Sequence, residues 1–152
     1  MATRDISKLA QYLPPEQIFF FDHGDRMEVI EKLCKGLLPE KLIPAARSKI
    51  LEREGEASTA IGKKVALPHA SIDALDDFIL GVAVSPHAPI TGWETFDMEP
   101  LHIVVMILAP SGRRESYLEI LSEISKKLGQ RRVVDEILKA RTREEVAKIF
   151  HS

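Results

Sequence analysis

Leu101-His-Ile-Val-Val-Met-Ile-Leu108 is apolar throughout except at His102. A run with no polar face to offer water reads as a central strand covered on both sides. Phe78-Ile-Leu-Gly-Val-Ala-Val84 is a second run of the same kind, and Ile18-Phe-Phe-Phe21, rich in aromatic and branched residues, reads as the first strand of the sheet. Between and after these runs apolar residues recur instead at a spacing of about 3.6. Asp25 with Glu28 makes a capping-box start, and Ile30, Leu33, Cys34 and Leu37 then recur at helical spacing until Pro39. Pro44 suits the first turn of a second helix running to about Arg53. Tyr117, Ile120, Leu121, Ile124 and Leu128 mark a helix from Arg114 to Leu128, and Val133, Val134, Ile137 and Leu138 a shorter one. Thr142 with Glu145 caps a last helix carrying Val146, Ile149 and Phe150. Ile6, Leu9, Ala10 and Leu13 suggest a short helical turn ended by Pro14-Pro15. Turns are expected at Ser85 to Pro89, at Thr91-Gly-Trp93 and at Pro110-Ser-Gly112. Helices interleaved with apolar strands predict an α/β layered fold, here a single domain over residues 1–152.

The chain has 152 residues, is 45% hydrophobic and 29% charged, and carries a formal charge of -2. That suffices for one buried core and gives no overall field to attract nucleic acid, which is not expected as a partner. No basic-then-apolar leader and no bilayer-length apolar run is present, so a soluble, cytoplasmic chain without membrane insertion is expected. Cys34, the one cysteine, falls on the apolar stripe of its helix and reads as a buried structural thiol.

The chemistry concentrates between Arg53 and His69. Val65-Ala66-Leu67 is strand-like, Pro68 donates no N–H, and His69 follows where the chain is expected to leave the sheet. Ser58 and Thr59 bring hydroxyls and Gly62 a bend, together a candidate anion-binding cup. Gly55 to Lys64 lacks the glycine spacing of a P-loop and has no Ser or Thr after the lysine. His23, His87, His102 and His151 lack metal-binding spacing, and there is no GxSxG elbow. His102 reads as a hydrogen-bonded core or sheet-edge residue.

Arg53, Glu54, Ser58, Thr59, Ile61, Gly62, Ala66, Pro68 and His69 together resemble the active-site pattern of the EIIA proteins of the bacterial phosphoenolpyruvate-dependent phosphotransferase system, in the fructose, mannitol and nitrogen-regulatory class. The resemblance extends from about Ile6 to Phe150. It implies a mixed sheet with helices on both faces and a transiently phosphorylated His69 at the edge of a shallow depression. It further implies an HPr-type phosphocarrier as donor, an EIIB protein or a regulated target as acceptor, and no metal or organic cofactor. With no second domain attached, a nitrogen-regulatory role is favoured over a sugar-specific one.

On this reading a neutral imidazole nitrogen is the nucleophile while the other ring nitrogen keeps its proton against an acceptor. Ser58, Thr59 and nearby backbone N–H groups are candidate donors to the phosphoryl oxygens, the alternative being an ordinary turn or helix cap. Arg53 either clamps the phosphoryl group or is a solvated charge at a helix end. The resemblance departs at Ala57, Ala60 and Lys64, where glycines are frequent, which predicts restricted φ and a reshaped cup. It departs again at Tyr117, where a second histidine is common. A phenol there either donates to phosphate without titrating near neutrality or packs on its helix's apolar face, so slower transfer, or a protein-binding module that has lost transfer, is the competing expectation.

Overall fold

The computed structural model describes residues 9–152. Ile6 of the expected first turn lies outside these; the rest of that turn is α1 (Leu9–Tyr12). The two long apolar runs pair with each other. β6 (Ile79–Val84) and β8 (Ile103–Pro110) are antiparallel neighbours, Val82 beside Val105. β1 (Ile18–Phe20) adds parallel to β6, and β4 (Val65–Ala66) and β5 (His69–Ile72) both add parallel to β8. β3 (Ala60–Gly62) pairs antiparallel with β4 and completes a mixed sheet. Every residue of β8 is buried, as expected of a strand covered on both faces.

Alternation along β8 divides the core. Ile103, Val105, Ile107 and Ala109 face α1, α4 (Arg114–Leu128), α5 (Arg131–Lys139) and α6 (Arg143–His151). Val104, Met106 and Leu108 face α2 (Arg26–Leu37) and α3 (Ile43–Glu56). The two expected capping boxes are both formed, Asp25 with Glu28 and Thr142 with Glu145. α2 approaches the sheet closely over Gly81, where a Cβ would sit 2.6 Å from Leu37. Cys34 lies in this layer with no exposed surface, and burial pushes its thiol up to about 11.

Two expectations change. The turn region after Ser85 contains β7 (Ile90–Thr91), which pairs parallel with β2 (Gly24–Asp25). A two-residue ladder has no periodicity to read and exists only because folding brings its halves together. The second helix also continues past Arg53 to Glu56, because Ala57 N–H closes on the Arg53 carbonyl and the Arg53 guanidinium caps the Ala57 carbonyl at 3.1 Å. No helix among the described residues is long and apolar enough to cross a membrane.

Candidate functional site

β4 and β5 are one strand broken at Leu67-Pro68. Val65 and Ala66 lie beside Ile103 and Val104, and His69 and Ala70 beside Ile107 and Leu108, so the register is the same on both sides of the break. Pro68 has no N–H for the ladder, but its carbonyl accepts from Ile107 N–H at 3.0 Å. The chain therefore does not leave the sheet at His69, as the sequence suggested. It re-enters there, since the proline removes one rung without shifting the register.

His69 shares a strand face with Val65 and Leu67, which belong to the core beneath α4, α5 and α6. At His69 that cover ends and the ring is only half-buried. It meets the ring of Tyr117, in the first turn of α4, edge-on at a centroid distance of 5.9 Å. Its Nδ1 lies 2.7 Å from the Leu67 carbonyl oxygen. A carbonyl can only accept, so in the neutral ring Nδ1 carries the proton and Nε2 keeps the lone pair.

A shallow depression of about 290 Å³ gathers His69 and Ser71 of β5, Tyr117, and two cations and two carboxylates of α3, Lys49, Arg53, Glu52 and Glu56. A broader one of about 620 Å³ lies elsewhere, so chemistry and not size singles out this place. Burial pushes the Tyr117 phenol up to about 12, against the smaller opposing pull of the Arg53 charge, so it remains a protonated donor near neutrality. Tyr117 also packs against the core beneath α4, as the packing alternative expected.

Ser58 and Thr59 do not line the depression. Ser58 Oγ donates to the Glu94 carbonyl at 2.7 Å. The Thr59 hydroxyl donates to the Glu54 carboxylate, which also accepts Thr59 N–H at 3.2 Å and Trp93 Nε1–H at 3.1 Å. Glu54 is 6% exposed, and among the described residues these donors, not a cation, satisfy it. The hydroxyls thus fasten the end of α3 to the segment around Trp93.

At the missing glycines the backbone differs from position to position. Lys63 and Lys64 take φ of 53° and 75° in the turn between β3 and β4, the left-handed conformation a glycine would supply. Lys63 N–H donates to the Asp97 carboxylate at 2.9 Å. Ala57 has an extended φ of -168°, open to any residue. Lys64 does not line the depression either; its charge acts on Glu99, whose carboxyl is lowered chiefly by its bond to Arg131.

Sequence reasoning missed Lys49 and Ser71. Lys49 stands one helical turn before Arg53, and Ser71 two residues after His69 on a strand that was expected to have ended. His102, half-buried, has Nδ1 2.8 Å from the Ser85 carbonyl, as expected of a hydrogen-bonded edge residue. Among the described residues no group of three or more His, Cys, Asp or Glu is placed to hold a metal ion.

The chain matches the family description "Phosphoenolpyruvate-dependent sugar phosphotransferase system, EIIA 2" over residues 11–152. It is 33% identical over 106 residues to the fructose-specific EIIA component of Haloferax volcanii, covering 70% of this chain and 68% of that one. It is 30% identical over 126 residues to the nitrogen regulatory protein of Escherichia coli, covering 82% and 75%. The fold is that of the nitrogen regulatory protein IIA-Ntr from Neisseria meningitidis, with a TM-score of 0.85 at 21% identity, covering 95% of this chain and 99% of that one. Mannitol enzyme IIA of Escherichia coli, solved in complex with phosphorylated enzyme IIB, has a TM-score of 0.71 at 17% identity, covering 91% and 96%.

Proposed function

The chain belongs to the EIIA 2 family of the phosphoenolpyruvate-dependent sugar phosphotransferase system, and from that premise we propose that His69 Nε2 is its phosphoryl acceptor. The observation that carries the reading is the Nδ1 contact to the Leu67 carbonyl, which leaves Nε2 unprotonated inside the depression shared with Arg53 and Tyr117. Nε2 attacks the phosphorus of a phosphohistidine on an HPr-type donor. The new N–P bond forms as the donor's breaks, and its electron pair returns to the donor imidazole. Nδ1 keeps its proton on Leu67 throughout, so no separate base is required.

Charge on the equatorial oxygens is met by the Tyr117 phenol, the Arg53 guanidinium and the first N–H groups of α4, whose N-terminus has no side-chain cap. Ser58 and Thr59 contribute by holding the last turn of α3, which carries Arg53. From His69 the group passes to an EIIB protein, the kind of partner bound by the mannitol relative, or its presence is read by a regulated target. Relatives of the fructose and nitrogen-regulatory kinds both match.

Tyr117 favours a second reading, in which the chain binds its partners through this depression without transfer, because a phenol pushed up to about 12 cannot relay charge as a histidine does. Incubation with phosphoenolpyruvate, enzyme I and HPr separates the two. Intact mass should show one acid-labile phosphate on the parent and none on His69→Ala. Absence of label on the parent, while a reference EIIA in the same mixture is charged, overturns transfer and leaves the binding reading.

A further inference from the structure

The largest depression described above lies away from His69. It opens beyond the carboxyl ends of the parallel neighbours β1 and β6, where Phe20 stands beside Val84, and its far wall is the end of α5 and the link to α6. From His69 this is four residues along the strands and three strands across, about 20 Å. At about 620 Å³ it has the size of a small-molecule site, and the space beyond carboxyl ends of parallel strands is where α/β sheets commonly place ligands.

Its chemistry is specific. Lys139 and Arg141 bring two cations, Asp22 a carboxylate and His87 an imidazole, around Phe20, a ring left 39% exposed. Opposite charges sharing a small concavity ordinarily pair. Here no ion pair or side-chain hydrogen bond joins Asp22, His87, Lys139 or Arg141 to any described residue. Arg141 bonds Glu145 only through its backbone N–H, although its charge helps hold that carboxyl below the usual range, after the two backbone bonds that do most. By contrast Arg143, two residues on, is already seated over the Phe19 ring at 5.7 Å.

We propose that this depression binds a phosphorylated polyol or sugar. Lys139 and Arg141 take the phosphate, Arg through paired N–H groups and Lys as a point charge. Asp22 and His87 accept from and donate to the hydroxyls. The Phe20 ring supplies an apolar platform for the C–H face of the carbon chain. Neither inorganic phosphate nor an uncharged sugar satisfies both sets of groups, so the site prefers the ester to either part.

Titration of the ¹⁵N-labelled chain with glucose 6-phosphate, glucose and inorganic phosphate in separate arms tests this. Saturable shifts at Phe20, His87 and Arg141 are expected with the ester, at a Kd below about 1 mM and about tenfold tighter than either part alone. The Lys139→Ala/Arg141→Ala double variant, altered only at exposed positions, should keep the parent spectrum elsewhere and bind at least about tenfold more weakly. His69→Ala should bind as the parent does, which separates this site from the phosphoryl acceptor. No saturable shift up to about 20 mM, equal affinity for phosphate alone, or shifts confined to the surroundings of His69 and lost in His69→Ala would each overturn the proposal.

Discussion

Within the stretch from Arg53 to His69, two sets of polar residues that look alike in the sequence are used in opposite directions. Glu54 and Thr59 turn inward and bond to each other and, through Glu54, to Trp93, while the half-buried Ser58 is taken up by the Glu94 carbonyl. Arg53 and His69 turn outward onto a depression that Tyr117 closes. The reason is energetic. A buried carboxylate without a cation must collect donors, and the nearest are the Thr59 N–H and hydroxyl five residues on. A hydroxyl near a candidate imidazole in sequence is therefore not by itself a ligand donor.

The sharpest contrast comes from neighbouring residues. Glu54→Ala strands Trp93 Nε1–H and the Thr59 donors in the interior and should lower stability by about 3 kcal/mol, read from urea midpoints. Arg53→Ala should cost about a hundredfold in the rate of phosphoryl acceptance with stability nearly unchanged. If the two variants exchanged these phenotypes, the inward and outward assignments would be reversed.

Smaller effects are expected at the hydroxyls. Ser58→Ala and Thr59→Val should each lower stability by about 1–2 kcal/mol and leave the acceptance rate within about threefold. A large rate loss at unchanged stability would return them to the phosphoryl group.

Alkaline pH tests two acids on either side of the sheet, the buried Cys34 thiol and the half-buried Tyr117 phenol. The Cys34 thiol is pushed from 9.0 to about 11 and the Tyr117 phenol from 10.0 to about 12, both chiefly by burial. Below pH 9 both are protonated in folded and unfolded chains alike, and their contribution is fully present. Above it the unfolded chain ionises first and binds fewer protons, so stability should fall from about pH 9 to about pH 12. Tyr117→Phe should flatten the part of that fall above pH 10; an unaltered slope would place the phenol in water.

The least effect belongs to the turn that keeps a glycine-like backbone with a lysine. Lys64→Gly should raise stability by about 0.5–1 kcal/mol in thermal unfolding, because the left-handed φ of 75° costs a residue bearing a Cβ. A loss instead would mean that the charge near Glu99 matters more than the strain.

Much of this was legible in the sequence because it is local. The apolar runs at 78–84 and 101–108, the 3.6-residue faces of the helices and the capping boxes at Asp25 and Thr142 each need only a few neighbouring residues to be specified. The position of His69 after Pro68 was equally plain. What Pro68 does to the strand was not, since whether a missing N–H ends a ladder or only skips a rung depends on the partner β8. The same holds for the Glu54 to Trp93 bond, across 39 residues, and for the meeting of His69 with Tyr117.

Sequence alone determined the long apolar strands and the helices, the faces those helices bury, and the place of His69 directly after Pro68. Tertiary structure decided strand order and direction, sent Thr59 inward and Ser58 to the Glu94 carbonyl, carried Lys49 and Ser71 to the depression and fixed the conformation that puts the Leu67 carbonyl on Nδ1. Periodicity and capping act within a turn or two of chain. Hydrogen-bond partners are set by which donors and acceptors lie within about 3 Å once distant segments have packed.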